Sequence, residues 1–229
     1  SEPHMTHSKS VRSELRLLAK LPATCQLSML RYSADGGLLL AAGRDGQLHR
    51  WKLPPEGLSL PPADQKQPTM GSAESLTPLA GHNGWVSCLA TSADGKWLIS
   101  VDTWGRLICR SQAAEQSEPI WQHAEAHAGW LRAMALSPDS QQLATCGADR
   151  MIRLWNTTDG SLLQQFSGGG QDLYSLDFHP DGTRLAVGDL QGVIGLWDHH
   201  TGQSLGQWEA REFYKLSYIQ EVGGVRGLA

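Results

Sequence analysis

The chain has 229 residues, of which 40% are hydrophobic and 18% are charged, as in a folded globular protein of one or two domains. Its net charge of −4 offers no basic excess for a phosphate backbone, so a specific nucleic-acid partner is not expected. No apolar run is long enough to span a membrane and no signal-peptide pattern is present, so we expect a cytoplasmic location without a membrane partner.

Glycine and tryptophan are abundant, with 25 and 9 residues, whereas phenylalanine occurs only 3 times. Glycine supplies tight turns and large aromatic side chains anchor strands, so this composition favours an all-β chain. Residues 1–12 are interpreted as a tag or a flexible N-terminus. The apolar stretch in residues 13–22 predicts a single outer strand.

Four turn signals recur between short apolar strands along the rest of the chain. Asp-Gly favours a hairpin because glycine readily adopts the positive φ that the turn requires. The aspartates of these turns are 59, 45 and 42 residues apart. The turns are Ser33-Ala-Asp35-Gly36, Ser92-Ala-Asp94-Gly95, Ser137-Pro-Asp139-Ser140 and His179-Pro-Asp181-Gly182.

A second landmark keeps the same spacing as the turns. Each copy has one strand before the turn and two after it, and the third strand ends at Trp51, Arg110, Trp155 or Trp197. A looser fourth strand precedes the next copy. The expected units are residues 23–80 with a Pro-rich insertion at 54–75, then 81–125, 126–167 and 168–208, and finally an insertion with one more strand in 209–229.

This pattern resembles the WD-repeat β-propeller family. The resemblance rests on four strands per copy, on Gly81-His82 in the second copy and on Trp197-Asp198 in the fourth. It implies four-stranded antiparallel blades in an open arc of about four, since Val225-Arg-Gly-Leu228 matches only the first strand of a fifth blade. We therefore expect the rest of a longer chain or a second subunit to cover the open edges.

Members of this family often join each blade through hydrogen bonds among a His, a Ser or Thr, an Asp and the Trp. By register, the third copy has all four residues, and the other copies have only part of the set. The complete set is His127, Thr145, Asp149 and Trp155, and the partial sets are His82 with Ser100, Asp45 with Trp51, and Trp197 alone.

Thr145, His127 and Asp149 also have the residue types of a nucleophile, a base and an orienting group. A catalytic hydroxyl must face its substrate, however, whereas this set is expected to run inward to a buried indole. We therefore interpret it as structural and predict no catalytic residue.

One face of a propeller is often a ligand platform in this family, and short loops place side chains on it. Tryptophan, tyrosine and arginine are enriched at interface hot spots because they combine large contact area with hydrogen bonding. The alternative is that the tryptophans pack between blades. The predicted partner-binding residues are Arg44, Trp85, Trp130, Arg132, Asp172, Tyr174 and Arg226.

The cysteines and histidines show no metal spacing. Cys25, Cys88, Cys109 and Cys146 form no Cys-x-x-Cys pair, so they are predicted to be buried free thiols. No third ligand accompanies the histidine pairs, so neither a metal nor a cofactor is expected. These pairs are His123 with His127 and His199 with His200.

These observations favour a non-catalytic scaffold that binds a protein or peptide ligand. Two alternatives stay open. The first is a recruiting or regulatory propeller domain of a larger enzyme. The second is a propeller hydrolase with a site at the mouth of the central channel, which clustered carboxylates and histidines would favour.

Overall fold

The computed structural model describes residues 21–54, 73–112 and 118–209, and every regular element in these ranges is a β-strand. Each run of four consecutive strands forms one antiparallel sheet in chain order. Blade 1 consists of β1 (Leu27–Tyr32), β2 (Leu38–Gly43), β3 (Leu48–Lys52) and β4 (Glu74–Leu79). Blade 2 consists of β5 (Val86–Thr91), β6 (Trp97–Asp102), β7 (Leu107–Ser111) and β8 (Trp121–His123).

The second half of the described chain repeats this arrangement. Blade 3 consists of β9 (Leu131–Leu136), β10 (Gln142–Gly147), β11 (Met151–Asn156) and β12 (Leu162–Ser167). Blade 4 consists of β13 (Leu173–Phe178), β14 (Arg184–Asp189), β15 (Val193–Asp198) and β16 (Ser204–Glu209). The predicted all-β class with four-stranded antiparallel blades is therefore confirmed. In the described ranges, neighbouring blades contact in sequence and form an open arc.

Two strands extend slightly beyond their predicted limits. The strand β4 begins at Glu74, inside the predicted insertion 54–75, because Glu74 pairs with Lys52 at the end of β3. The strand β16 runs to Glu209, one residue into the predicted segment 209–229, because Glu209 pairs with Val193. The expected strand in 13–22 and the fifth-blade strand lie largely or wholly outside the described residues.

The β1–β2 hairpin shows why the Ser-Ala-Asp-Gly turn recurs. The Asp35 carboxylate accepts hydrogen bonds from the Ser33 hydroxyl at 2.6 Å and the Gly37 amide at 3.0 Å. Gly36 has a φ of +71°, the left-handed conformation that glycine adopts without strain. In the third copy Ser140 takes the glycine position with a φ of +58°. The turn is thus closed by its own side chains in each copy.

The hydrophobic core lies between the blades. Leu40 and Leu48 of blade 1 pack with Val86 and Leu89 of blade 2, and equivalent clusters join blade 2 to blade 3 and blade 3 to blade 4. Fully burying one such side chain stabilises the fold by about 1.5–3 kcal/mol. A single blade has no neighbour against which to bury these faces, so stability comes from stacking.

Hydrogen bonds between inner strands strengthen the same contacts. The Ser28 hydroxyl donates to the Val86 carbonyl at 2.6 Å, and the Ser87 hydroxyl donates to the Leu131 carbonyl at 3.0 Å. Each bond links a blade to the next one along the chain. Within the described residues, there is no helix with the length and apolar character needed to cross a membrane.

Candidate functional site

A hydrogen bond repeated in all four blades places the predicted binding residues at one edge. In each blade, the amide that follows β2, β6, β10 or β14 donates to the carbonyl of the residue just before the inner strand. Two loops therefore meet at the same end of every blade, and their side chains share one face. The pairs are Arg44 with Gln26, Thr103 with Trp85, Ala148 with Trp130, and Leu190 with Asp172, at 2.9–3.0 Å.

Stacked arginines connect neighbouring blades on this face. The Arg44 guanidinium carbon of blade 1 lies 4.6 Å from the ring centroid of Trp85 in blade 2. The Arg132 guanidinium carbon of blade 3 lies 4.1 Å from the Trp130 ring and 5.0 Å from the Tyr174 ring of blade 4. Such contacts hold each guanidinium in place, and the exposed Arg44 keeps its donors available to an acceptor.

A groove of about 470 Å³ opens between blades 1, 2 and 3 on this face. Three of its tryptophans are well exposed, Trp85 at 47%, Trp104 at 67% and Trp130 at 43%. Trp85 and Trp130 therefore stay accessible at the surface, although Trp85 also stacks against Arg44 of the neighbouring blade. The groove is lined by Arg44, Asp45, Gly46, Asn83, Gly84, Trp85, Thr103, Trp104 and Trp130.

Trp104 was not among the predicted binding residues. By register it stands where the third copy has Asp149, so the sequence suggested only a missing member of the hydrogen-bonded set. The structure places it in the groove because Gly84 leaves room for the ring: a Cβ at residue 84 would lie 2.8 Å from the Trp104 Nε1. The available sequence signal was the glycine before Trp85.

Of the remaining predicted binding residues, those that the structure describes do not line the groove. Asp172 forms a 4.0 Å ion pair with Arg150, and both side chains are well exposed. It therefore lies on the same face but does not line the groove. Tyr174 joins the face through Arg132. Arg226 lies outside the described residues.

A second, larger depression of about 630 Å³ lies between the hairpin turns of blades 1 and 2. Its carboxylates, Asp35 and Asp94, are held by their own turns, since Ser33 and Ser92 each donate to them at 2.6 Å. Because one oxygen of each carboxylate is already occupied and no aromatic side chain lines the depression, we regard the tryptophan groove as the better binding site.

The structure brings together the four residues of the predicted structural set in blade 3. The Trp155 indole donates to Thr145 Oγ1 at 2.8 Å, and Thr145 Oγ1 lies 2.8 Å from His127 Nε2. Because the Asp149 carboxylate only accepts, His127 Nδ1 carries the hydrogen that reaches it at 2.8 Å, and Nε2 accepts the hydrogen of the threonine hydroxyl. Burial lowers the pKa of His127 and keeps its ring neutral. Burial opposes ionisation of Asp149, but hydrogen bonds from His127 and Arg153 outweigh it and lower the pKa of this carboxyl.

Blade 2 completes its set with a residue that sequence register did not identify. The Ser100 hydroxyl lies 2.8 Å from His82 Nε2, and His82 Nδ1 lies 3.3 Å from Asp102, two residues before the expected aspartate position. Asp102 is fully buried, and the amides of Trp104 and Arg106 also donate to it at 2.9 and 3.0 Å. Burial raises its pKa, but these hydrogen bonds outweigh that effect and the pKa falls to about 2.

Blades 1 and 4 show what the missing hydroxyl changes. Trp51 and Trp197 keep their places on the third strand, but Ala41 and Val187 stand at the position of Thr145. Among the described residues, nothing accepts a hydrogen bond from the buried Nε1 of Trp51 or Trp197. These two blades therefore depend on packing for their stability.

The cysteines are free, and three of the four are buried as predicted. Burial raises the pKa of Cys88 to about 11 and that of Cys109 to about 12, so neither is a nucleophile at neutral pH. Cys25 differs from the prediction because it is only half-buried. Its Sγ lies 3.3 Å from His49 Nε2, close to Asp45, and no sequence motif links these three residues.

The repeated blades and their hydrogen-bonded histidines define a class of protein. The family model described as "WD domain, G-beta repeat" matches residues 73–109, 119–156 and 160–198. The chain belongs to the WD-repeat β-propeller family.

Curated relatives and solved structures agree with this assignment. The chain is 30% identical over 126 residues to small ribosomal subunit protein RACK1y of Oryza sativa subsp. japonica, covering 52% of this chain and 34% of the relative. It is 27% identical over 142 residues to the WD repeat-containing protein 26 homolog of Arabidopsis thaliana, covering 57% of this chain and 24% of the relative. The chain thus spans about a third or less of each relative.

A chain in the crystal structure of a mitotic checkpoint complex superposes with a TM-score of 0.67 at 19% identity. The match covers 84% of this chain and 54% of that one. At this identity the match supports the fold alone, and it indicates that the four blades follow the arc of a propeller.

Proposed function

We propose that this chain is a non-catalytic scaffold that binds a protein partner through the tryptophan groove. The observation that carries this proposal is the cluster of exposed Trp85, Trp104 and Trp130 beside the stacked Arg44 guanidinium. Large aromatic side chains and arginine contribute most of the binding energy in many protein interfaces. Three exposed tryptophans around one groove lower the solubility of a protein, and a binding role explains why they are exposed.

The chemistry of the groove favours a peptide segment with an apolar side chain next to a carboxylate. The indole rings offer apolar surface to the first group. The guanidinium of Arg44, held over Trp85, offers paired donors to the second, and Arg132 repeats the arrangement over Trp130. The curated relatives agree with protein binding, since one of them is named a small ribosomal subunit protein.

The buried residues support the absence of catalysis. Thr145 and His127 of blade 3 are 0% and 2% exposed, and Ser100 and Asp102 of blade 2 are both 0% exposed, so a substrate has no path to either of these sets. In blade 1, Cys25 and Asp45 face the same nitrogen of His49, so the ring cannot relay a proton between them. The threonine hydroxyl is also committed to His127 and receives the Trp155 indole hydrogen. We therefore favour the scaffold over the hydrolase alternative.

Selection from a random peptide library against the purified chain tests the proposal. We expect selected peptides to be enriched in an apolar residue near Asp or Glu. Trp85→Ala and Trp130→Ala should each weaken peptide binding by about tenfold or more, since hot-spot residues contribute about 2 kcal/mol or more. Fluorescence polarisation with the selected peptides measures the change in Kd.

Trp208→Ala is the matched control, because Trp208 is also an exposed tryptophan but lies on the outer strand β16 of blade 4. Its variant should bind the peptides as tightly as the unmodified chain. Equal affinity of all three tryptophan variants and the unmodified chain would contradict the proposed site.

We also propose that another blade, from the same polypeptide or a second subunit, packs against the open side of blade 1. Leu30 on β1 is 50% exposed, whereas Leu89 at the same position in blade 2 is 2% exposed because blade 1 covers it. Multi-angle light scattering combined with hydrogen exchange of β1 tests this. A monomer with slowly exchanging β1 amides would argue against a missing neighbour on this side.

A further inference from the structure

Blade 1 replaces the hydrogen-bonded set of blade 3 with a different group of polar side chains. Ala23 and Ala41 occupy the positions of His127 and Thr145, so neither can hydrogen-bond to Trp51. His49 lies opposite Ala41 in the β2–β3 ladder and is buried. Its ring bonds Asp45, as Arg153 at the same position of blade 3 bonds Asp149, but it also faces Cys25, where blade 3 has Gly129.

These neighbours are a thiol and a carboxylate. Cys25 Sγ lies 3.3 Å from His49 Nε2, and Asp45 Oδ2 lies 2.9 Å from the same nitrogen. The three potential ligand atoms all lie within 4.8 Å of one another. They come from three separate segments, the approach to β1, the β2–β3 turn and β3 itself.

Gly43 keeps the space around this cluster open. A Cβ at residue 43 would contact the Asp45 carboxylate and would lie 2.9 Å from His49 Cδ2. Any larger residue would push the two side chains away from Cys25. The glycine at the end of β2 thus allows the three groups to converge.

Without a metal, the three groups form a hydrogen-bonded cluster. The Asp45 carboxylate accepts from His49 Nε2 at 2.9 Å and from the Cys25 thiol. A cation at the centre of the three atoms would take the place of these two hydrogens, because thiolate, imidazole and carboxylate bind a metal in their deprotonated forms.

We propose that Cys25, Asp45 and His49 bind Zn²⁺. Thiolate, imidazole and carboxylate are its three protein ligand types, at about 2.3, 2.0 and 2.0–2.2 Å. At tetrahedral angles these lengths separate sulfur from nitrogen by about 3.5 Å and nitrogen from oxygen by about 3.3 Å. The observed separations of 3.3 and 2.9 Å therefore need only a small expansion. The proposal is independent of the partner bound in the groove.

The fourth position of the ion is accessible from solvent. The Asp45 side chain is 30% exposed and lines the tryptophan groove. A water molecule, or a carboxylate or imidazole of a bound protein, can therefore complete the coordination. Three protein ligands with one open position are a known arrangement for zinc.

Titration of the purified, metal-free chain with ZnCl₂ and CoCl₂ tests the site. We expect one ion per chain. Bound Co²⁺ should give the near-ultraviolet charge-transfer band of a thiolate ligand and the intense visible bands of tetrahedral cobalt. Losing an outer-shell partner alone weakens metal binding by about 10- to 100-fold, so Cys25→Ser and His49→Gln should each weaken Zn²⁺ binding at least that much.

Two controls separate this site from other histidines. His200→Gln removes an exposed histidine whose ring lies 3.9 Å from that of His199, and a double His4→Gln, His7→Gln variant removes the N-terminal histidines. Neither should change Zn²⁺ affinity. Metal binding that survives Cys25→Ser, or that is lost in either control variant, would overturn the assignment.

Alkylation of Cys25 provides a test that needs no variant. Cys25 is the most accessible of the four thiols, since the other three are buried. Stoichiometric Zn²⁺ should slow its reaction with iodoacetamide at least tenfold, as read by peptide mass spectrometry, and a chelator should restore it. An unchanged alkylation rate in saturating Zn²⁺ would refute the proposal.

Discussion

At the residue scale, the four blades differ in how they treat the buried position on the third strand that usually holds a tryptophan. Blade 3 gives the Trp155 indole an acceptor, Thr145, whereas Trp51 and Trp197 have none among the described residues. Blade 2 has replaced the tryptophan with Arg110, whose guanidinium donates to the Ala80 carbonyl at 2.5 Å. A buried polar group costs free energy unless it is paired, so the blades differ in how much hydrogen bonding contributes to their stability.

Thr145→Ala is expected to lower the free energy of unfolding by about 1–3 kcal/mol. The substitution removes the hydroxyl that bonds both the Trp155 indole and His127 Nε2 and leaves both groups buried without a partner. Urea denaturation measures the change. Thr158→Ala, at an exposed turn position, is the control and should stay within about 0.5 kcal/mol of the unmodified chain. Equal stability of the two variants would show that the network contributes little.

At the element scale, the turns between the second and third strands join the blades. The β6–β7 turn of blade 2 places Gly105 beneath the loop that leads into blade 3, where its carbonyl accepts the Ala126 amide at 2.8 Å. Gly46 occupies the same place between blades 1 and 2, where a Cβ would lie 3.0 Å from the His82 carbonyl oxygen. Close backbone approach, and not only turn geometry, therefore requires glycine at these positions.

Gly105→Ala should destabilise the chain more than Gly36→Ala, although both glycines have positive φ values, of +81° and +71°. A Cβ at residue 36 meets nothing within 4 Å, so that substitution costs only the backbone strain, about 1–2 kcal/mol. A Cβ at residue 105 also collides with the His127 carbonyl oxygen, which adds about 1–3 kcal/mol. Thermal unfolding of the two variants measures the difference. If both variants lose the same stability, a Cβ at residue 105 does not disturb the contact between blades 2 and 3.

At the scale of the whole molecule, two buried His–Asp pairs link stability to pH. Burial lowers the pKa of His82 and His127 below the ordinary value of 6.5, and the pKa of Asp102 falls to about 2 from 3.8. Below about pH 6.5 the unfolded chain binds protons at these histidines while the folded chain does not. The unfolded state is therefore favoured as the pH falls, and below about pH 4 Asp102 adds to the effect.

We expect the free energy of unfolding to fall from pH 7.5 to pH 5, with a slope of up to about 1.4 kcal/mol per pH unit for each histidine. Urea denaturation across this range measures the slope. A His82→Gln, His127→Gln double variant should be less stable at pH 7.5 but should show a shallower slope, because its unfolded state binds fewer protons. Stability that is constant or rises towards pH 5 would contradict the assigned direction of these pKa shifts.

Much of this architecture could be predicted from sequence because it repeats. The Asp-Gly turns and the third-strand residues Trp51, Arg110, Trp155 and Trp197 share one spacing, and that spacing predicts four antiparallel strands per copy. Register then located the complete set of blade 3. Register did not find Asp102, because it bonds His82 from two residues before the expected position.

The sequence by itself determined the blades, since hairpin formation depends on residues close together in the chain. Through the family resemblance it also predicted that Trp85, Trp130 and Arg132 lie on one face. Only the tertiary structure decided that Trp104 enters the groove and that Cys25 meets Asp45 and His49. Those contacts depend on cross-strand and cross-blade packing, in which one absent side chain, at Gly84 or Gly43, makes room for another. A periodic sequence pattern does not show which side chain fills the space that a glycine leaves open.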